Sequence, residues 1–430
     1  MAVNTSYQLR NMVMYQVFVR NFSQEGTFLK VRERLLDIKA LGADIIWLMP
    51  IHPIGEIKRK GVLGSPYAIS DYRAVNPEFG TLDDLKALVD DIHALGMKCI
   101  IDVVYNHTSP DSALSKEHPE WFYHKPDGSF GNRVGDWTDI IDLDYNSDRE
   151  LWRYQIDTLK MWAEIVDGFR CDVAPLIPLD FWLQARREVE EVRPGCIWLS
   201  ESVEPGFITY MRGRGMTALS DGELYQAFDL CYDYDVYRKF VACINKEGSL
   251  ADYAEAVNRQ EYTYPANYVK LRFLENHDQP RAAFLIPSED ELANWTAFSF
   301  FQKGMTLIYA GQEYAAKRTP NLFNKDTVDF SDSDKHRYLA SLMGRLSEIK
   351  RDPVFTDSVY NVKAQDDRYL VATHESGGRK ALGIFCVGGA NGRVKVDLPD
   401  GVYTDLINDK KVEACGGYIM TDGAPMIIIE

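Results

Sequence analysis

Residues 81–107 read TLDDLKALVDDIHALGMKCIIDVVYNH and show the unit from which the fold can be inferred. Positions 82–95 carry apolar residues at the spacing of an amphipathic helix, and positions 98–105 form an almost continuous apolar run. Strands this apolar are typical of a parallel sheet whose two faces are both covered. The stretch therefore predicts a helix followed by a buried strand, with polar side chains beginning where the strand ends.

The same alternation of helix and strand recurs up to about residue 350, which is typical of repeated βα units. The helical patterns lie at 27–41, 82–95, 149–165, 179–191, 289–302 and 334–350. The apolar runs lie at 12–19, 43–48, 98–105, 166–171, 196–200, 217–220, 268–274 and 305–309. Eight such strands predict an α/β fold of the (β/α)8 TIM barrel class. An open doubly wound sheet is the alternative, but its glycine-rich nucleotide turn is absent.

Two segments depart from this alternation and predict additional domains. The long loop after the third strand is rich in Pro, Asp, Gly and aromatic residues, and a loop of that length is usually functional. The tail shows seven short alternating runs separated by turn signals, which predict an all-β domain. The predicted division is a first barrel part at 1–106, an inserted domain at 107–143, a second barrel part at 144–352 and a C-terminal β domain at 353–430.

Composition and charge narrow the class of protein and its partners. The 430 residues are 46% hydrophobic and 26% charged, which is typical of a folded globular protein. The net charge of −16 argues against nucleic acid or an anionic membrane as a partner. The chain shows neither a signal-peptide pattern nor an apolar run of about 18 residues. The seven scattered cysteines indicate buried thiols in a reducing compartment, so we expect a cytoplasmic protein.

Polar side chains follow four of the predicted strands at the point where each strand ends. The segments are 102–107 (DVVYNH), 168–172 (GFRCD), 199–201 (LSE) and 275–278 (ENHD). The carboxyl ends of barrel strands meet at one face, which carries the active site in this fold class. Charged groups at a single strand end are common, whereas their presence at four ends indicates one shared site.

Two of these carboxylates should have opposed environments. Arg170 and Asp172 leave the same face of a strand, and an adjacent guanidinium favours an ionised acid that can act as a nucleophile. Glu201 follows the apolar run CIWLS, and burial would raise its pKa so that it holds a proton to donate. This division of labour is the one that glycoside hydrolysis requires, and Asp278 could stabilise a cationic transition state. The alternative is that these residues form a structural ion pair and surface acids.

In their order and spacing, these segments resemble the four conserved regions of the α-amylase family of glycoside hydrolases. Supporting matches are GADIIWLMPIHP at 42–53, SPYAISDYRAVNPEFGT at 65–81, DLDY at 142–145 and GMTLIYAGQE at 304–313. Each motif is short, but together they cover essentially the whole chain. The resemblance implies that the insert is a short domain B and that the tail is a C-terminal β-sandwich.

The resemblance also implies residue roles: Asp172 as nucleophile, Glu201 as general acid/base and Asp278 as transition-state stabiliser. The implied substrate-binding residues are Tyr67, Asp102, His107, Arg170 and His277. The implied activity is retaining hydrolysis of α-1,4-glucosidic bonds in starch-derived glucans or maltooligosaccharides, through a covalent glycosyl-enzyme. The alternatives are an α-glucanotransferase, an α-1,6 or short-substrate α-glucosidase, and a non-catalytic glycan-binding relative.

The resemblance implies no cofactor for the chemistry, but it raises a structural calcium ion. Asn106 matches the calcium-binding asparagine of the family, and Asp136 or Asp139 could supply a carboxylate from the insert. The alternative role for Asn106 is to brace the loop. Many α-amylases carry Lys and His three and four residues after the nucleophile, where this chain has Pro175 and Leu176. The departure places both the calcium site and the outer sugar subsites in question.

Overall fold

The computed structural model describes residues 4–328, 330, 337–389 and 391–430. Its first part is a closed barrel of eight parallel strands, β1–β8, that follow chain order around the barrel. These strands are Val13–Val17, Ile45–Leu48, Lys98–Val103, Gly168–Cys171, Ile197–Ser200, Leu230–Tyr232, Val269–Arg272 and Met305–Tyr309. Pairing of β1 with both β2 and β8 closes the barrel. The predicted (β/α)8 TIM barrel is confirmed.

Helices alternate with the barrel strands. They are Val19–Phe22, Phe28–Arg32, Leu35–Ala40, Leu82–Ala94, Ala113–Glu117, Arg149–Ala163, Leu179–Val192, Pro205–Gly213, Asp221–Leu224, Tyr234–Ile244, Leu250–Thr263, Ala282–Leu285, Glu289–Phe301 and Arg337–Lys350. The single helix predicted at 27–41 is two helices, because Arg34 leaves the helical region with φ −106° and ψ 2°. Of the helix predicted at 334–350, positions 334–336 lie outside the described residues.

The prediction of the sixth strand at 217–220 is wrong. That segment is irregular, and Ser220 caps the next helix by donating through both its N–H and its hydroxyl to Glu223 Oε2 at 2.7 Å. The sixth strand is Leu230–Tyr232. It has only three residues between the buried acids Asp229 and Asp233, so no extended apolar run marks it in the sequence.

The segment between β3 and the helix Arg149–Ala163 has a small structure of its own. Strands His107–Thr108 and Ile141–Asp142 form an antiparallel ribbon. Trp121 and Phe122 are buried inside this segment. The segment contains the predicted insert, and the exact limits of the four predicted domains stay a prediction.

The C-terminal part contains two four-stranded antiparallel sheets, so the predicted all-β domain is confirmed. One sheet holds Val359–Gln365, Tyr369–Ser376, Arg379–Phe385 and Met426–Ile429, and the other holds Gly392–Lys395, Gly401–Asp405, Lys410–Cys415 and Tyr418–Thr421. A shared apolar core that includes Leu382 and Ile419 joins them. The sequence pattern misses the strand Lys410–Cys415, because Ala414 is its one fully buried residue.

The described part of the chain has no membrane-spanning helix, and its cysteines are unpaired. No helix in the described part of the chain has the length and apolar character needed to cross a membrane. All seven cysteines are unpaired thiols. Five are buried and Cys243 is half-buried, whereas Cys415 is exposed because it lies on the outer side of its strand. The expectation of a buried thiol is therefore wrong for Cys415.

The register of the barrel brings the polar residues of the strands to one level. Asp102 on β3 is the register partner of Arg170 on β4, and Gln16 on β1 is the register partner of Trp47 on β2. All four side chains are fully buried. Because the strands are parallel, the loops that follow them begin at the same rim, and that rim carries the candidate site.

Candidate active site

A cavity of about 340 Å³ lies at the carboxyl ends of the barrel strands. Its lining includes six of the residues singled out in the sequence: Tyr67, His107, Asp172, Glu201, His277 and Asp278. Two others, Asp102 and Arg170, are fully buried and contact these lining residues. The barrel therefore brings together all eight residues predicted for catalysis and substrate binding. Asn106 does not line this cavity.

Arg170 lies at the centre of the site and contacts three of its carboxyl groups. Its Nη1 donates to Asp102 Oδ1 at 2.8 Å and to Asp172 Oδ1 at 2.9 Å. Its Nη2 lies 2.8 Å from Glu201 Oε1, and its Nε donates to the Tyr232 hydroxyl at 3.2 Å. Asp172 and Glu201 therefore lie side by side on one guanidinium group.

Burial, opposed by the shared cation Arg170, sets the acidity of these three carboxyl groups. Burial raises the pKa of Asp172 and of Asp102 to about 7 and that of Glu201 to about 8, and Arg170 opposes the rise in each case. Arg170 favours the ionised form of Asp172, as the sequence predicts, but one positive charge does not offset the burial of three carboxyl groups. The pKa of Glu201 is nevertheless higher than that of Asp172, which is the order that the sequence predicts for the proposed catalytic pair.

A second chain of polar contacts runs around the other side of the cavity. Gln16 Nε2 donates to His277 Nδ1 at 2.7 Å, which leaves the Nε2–H of a neutral His277 as a donor. That Nε2 lies 3.1 Å from Asp278 Oδ2 and 2.6 Å from the Tyr67 hydroxyl, which itself lies 3.2 Å from Asp102 Oδ2. Burial lowers the pKa of His277 to about 4, so the ring stays neutral.

Tyr67 and His277 also stack, with ring centroids 5.5 Å apart and an interplanar angle of 19°. His107 Nε2 lies 3.9 Å from Asp172 Oδ2, and Trp137 packs against the His107 ring at 5.7 Å. Burial lowers the pKa of His107 to about 4. Neutral imidazoles and an aromatic ring beside carboxylates form a surface suited to hydroxyl groups and the apolar face of a sugar ring.

The backbone after Asp172 is strained in a way that serves Glu201. Val173 has φ 35° and ψ 42°, the left-handed region, which is rare for a β-branched residue. This turn directs the Val173 N–H to Glu201 Oε2 at 2.7 Å. Strain of this kind persists where the surrounding structure imposes it and is common at functional sites.

The structure adds residues that the sequence reasoning missed. Inside the barrel they are Gln16, Trp47 and Tyr232, and on the loops they are Lys60, Leu322 and Phe323. Gln16 carried a usable signal, because it is the one polar residue in the strand VMYQV. The loop residues carried none, since their positions depend on contacts between loops far apart in the chain, such as the hydrogen bond from Leu63 N to Phe323 O.

The residues proposed for calcium do not assemble as the sequence suggested. Asp139 forms an ion pair with Lys60 at 2.8 Å and lines the main cavity, and Asp136 is exposed. Asn106 instead lines a separate cavity of about 160 Å³, together with Asp142 and other residues.

The donor set around Asn106 does not fit a calcium ion, which takes six to eight oxygen ligands. The side-chain nitrogen of Asn106 lies 3.1 Å from His107 Nδ1. Asp142 Oδ1 is a buried oxygen without a hydrogen-bond partner, but the guanidinium of Arg133 lies close to the other oxygen of the same carboxylate, Oδ2. Across the described ranges, no group of three or more His, Cys, Asp or Glu residues is arranged to hold a metal.

Residues 16–359 match the family model for the alpha amylase catalytic domain, and residues 361–428 match that for the bacterial alpha amylase C-terminal domain. An alpha-amylase from Lactobacillus plantarum is 48% identical with a TM-score of 0.95, and the alignment covers 99% of this chain and 100% of that one. A noncanonic maltogenic alpha-amylase from Thermotoga neapolitana is 35% identical with a TM-score of 0.87, over 98% and 99% of the two chains.

Curated relatives include two bacterial alpha-1,4-glucan:maltose-1-phosphate maltosyltransferases. The protein from Rhodospirillum rubrum is 33% identical over 272 residues, which is 58% of this chain and 36% of that protein. The protein from Pseudomonas aeruginosa is 32% identical over 381 residues, which is 79% of this chain and 53% of that protein. The chain thus spans between about a third and a half of the length of these relatives.

Proposed function

Because the chain belongs to the α-amylase family, we propose that it hydrolyses α-1,4-glucosidic bonds with retention of configuration. The proposed substrates are starch-derived glucans or maltooligosaccharides, which are neutral chains that an enzyme with a net charge of −16 does not repel. The observation that carries the proposal is the placement of Asp172 and Glu201 on the same guanidinium of Arg170, at one wall of a cavity that also holds Asp278.

In the proposed mechanism, the Asp172 carboxylate attacks the anomeric carbon while the Glu201 carboxylic acid protonates the leaving glycosidic oxygen. The bond between Asp172 and the sugar is then broken by water, whose proton passes to the Glu201 carboxylate. Retention requires the two carboxyl groups to lie about 5 to 5.5 Å apart. The guanidinium of Arg170, 2.9 Å from Asp172 Oδ1 and 2.8 Å from Glu201 Oε1, supports the proposal because it holds both groups at one place. His277, which Gln16 orients, donates from Nε2 towards Asp278 and the sugar hydroxyls.

The stereochemistry of the first product tests the mechanism. When maltopentaose is added and the reaction is followed by proton NMR within the first minutes, we expect the α-anomer of the newly formed reducing end to appear before mutarotation. Two inversions at the anomeric carbon restore the starting configuration. An inverting glucan hydrolase run in parallel should give the β-anomer first. Initial release of the β-anomer by this chain would contradict the assignment of Asp172 as nucleophile.

Glycosyl transfer is a second candidate function, favoured by the curated relatives that are named maltosyltransferases. In that reaction a sugar hydroxyl, rather than water, intercepts the glycosyl-enzyme. Incubation with maltotriose separates the two reactions, because hydrolysis yields mainly glucose and maltose, whereas transfer yields chains longer than the substrate. Maltose 1-phosphate, the donor in the relatives' names, should release no phosphate if the chain is a hydrolase. Panose and pullulan in the same series test cleavage of α-1,6 bonds or a preference for short substrates.

The pKa values predict a narrow pH profile. Asp172 must be ionised, so kcat/KM should rise through a pKa of about 7, and Glu201 must be protonated, so kcat/KM should fall again through a pKa of about 8. The two limbs report the coupled cluster rather than single residues. An α-maltosyl fluoride substrate is the control, because fluoride leaves without protonation and the alkaline limb should disappear. A profile that stays flat well above the Glu201 pKa with unactivated maltooligosaccharides would contradict the role of Glu201.

We also place the protein in the cytoplasm. Its seven unpaired thiols, five of them buried, support a reducing compartment, because a chain folded under oxidising conditions tends to pair its cysteines.

A further inference from the structure

The inserted segment rejoins the barrel at a point where two acidic side chains come close to Asn106. Asp142 and Asp144 flank Leu143, whose N–H donates to the carbonyl of Asn106 at 3.0 Å. Asp142 is buried and Asp144 is half-buried. Two carboxylates this close together at a buried joint need a positive charge between them.

Arg133, from within the insert, supplies that charge. Its backbone N–H donates to Asp142 Oδ2 at 2.6 Å, and its Nη1 donates to the carbonyl of Leu143 at 3.1 Å. Its guanidinium nitrogens lie 3.7 Å from Asp142 Oδ2 and 3.5 Å from Asp144 Oδ1. The guanidinium carbon lies 4.6 Å from the centre of the Tyr123 ring, which holds the side chain in this position.

These contacts leave little for a metal ion to bind. The guanidinium takes the carbonyl of Leu143 and faces both carboxylates, and all of these residues line the small cavity that also includes Asn106. Asp142 Oδ1 is the one side-chain oxygen of this group that is buried without a partner. A single free carboxylate oxygen beside an arginine is far from the oxygen cage that calcium requires.

We propose that Arg133 serves as a built-in cation that joins the insert to the barrel, so that neither the fold nor the activity of this chain depends on calcium. The joint also bears on the active site, because Asp142 is the register partner of His107 in the ribbon, and His107 lies 3.9 Å from Asp172. Arg133 is therefore a positioning residue for His107. The proposal does not depend on whether the enzyme hydrolyses or transfers sugars.

Thermal unfolding of the full chain tests the proposal directly. After dialysis against EDTA, the wild-type protein should unfold at the same Tm, to within about 1 °C, in millimolar calcium chloride as in millimolar EDTA. A Tm that is several degrees higher in calcium chloride than in EDTA would overturn the proposal. Activity on the same samples should likewise be unchanged by calcium.

Substitution of the arginine gives the second arm of the test. Arg133→Gln should lower the Tm by several degrees in both buffers, speed proteolytic cleavage of the insert and raise KM more than it lowers kcat. Arg133→Lys keeps the charge and should fall between this variant and the wild type. The matched control is Arg153→Gln, since Arg153 is 72% exposed and pairs with Glu150 on a helix surface. An Arg133→Gln variant as stable as Arg153→Gln would show that the joint does not rely on the guanidinium. If Arg133→Gln does not fold, the wild-type comparison with EDTA still decides the matter.

Discussion

Replacing Asp172 with glycine should reduce hydrolysis roughly 10⁴-fold or more, because in the proposed mechanism Asp172 is the carboxylate that forms the glycosyl-enzyme. Asp102 is fully buried, and Glu201 is needed as the acid. Azide should restore turnover of α-maltosyl fluoride by the Asp172→Gly variant, since the small anion fits the space left by the carboxymethyl group. It attacks from the face that Asp172 used, and the expected product is the β-glycosyl azide.

Glu201→Ala is the matched comparison for the azide experiment. With an activated fluoride the glycosyl-enzyme still forms on Asp172, and azide then attacks it from the opposite face, so the expected product is the α-glycosyl azide. Asp278→Asn should lose activity without rescue by azide, because Asp278 forms no bond in the proposed mechanism. NMR of the isolated azides distinguishes these outcomes. The same anomer from both rescued variants would refute the assignment of nucleophile and acid.

Replacing Arg170 with methionine should have the largest effect on stability. The variant leaves three buried carboxyl groups without their cation, and loss of one partner of a buried ion pair typically costs about 3 to 5 kcal/mol. Activity should fall with it, because Asp172 and Glu201 lose the group that holds them side by side. Arg170→Lys should be intermediate, since an ammonium cannot donate to three carboxylates in the geometry of a guanidinium.

The destabilisation of Arg170→Met should depend on pH in a defined direction. In the folded protein the pKa values of Asp102 and Asp172 are raised to about 7 and that of Glu201 to about 8, above their values in an unfolded chain. The stability of the cluster is therefore highest below the unfolded pKa values near 4 and falls as the pH rises through 7 to 8. Arg170 limits that fall by stabilising the ionised forms. The difference in unfolding free energy between wild type and variant should be small near pH 5 and large near pH 8.

Urea unfolding at these two pH values measures the difference, with Tyr232→Phe as the control. That variant removes the hydroxyl that accepts from Arg170 Nε but leaves the charges in place, so its cost should be small and nearly independent of pH. A deficit for Arg170→Met that is equal at both pH values would indicate lost packing against Trp47, whose ring lies 5.2 Å from the guanidinium carbon. It would contradict the shared-cation account of the three carboxyl groups.

One barrel strand and two sets of side-chain contacts could not be predicted from the sequence. The sixth barrel strand is three residues long and lies between two buried acids, so its pattern resembles a loop. The contact of Lys60 with Asp139 joins two loops nearly eighty residues apart in the chain. Arg133 and its carboxylate partners, Asp142 and Asp144, lie within one segment of the chain. They come together only because that segment folds back on the barrel.

The amino-acid sequence was sufficient to predict the barrel, the β tail and the meeting of seven of the eight candidate site residues, whereas Tyr67 came from the family resemblance. The reason is physical: helix and strand periodicities differ, and parallel strands must end at one rim, so polar residues that follow four strands have to meet. The acidity of those residues and the identity of the cation at the insert depended on the folded arrangement. Burial and charge sharing come from neighbours on different strands: burial raises the pKa of Asp172, Arg170 opposes that rise, and Asp102 adds to it.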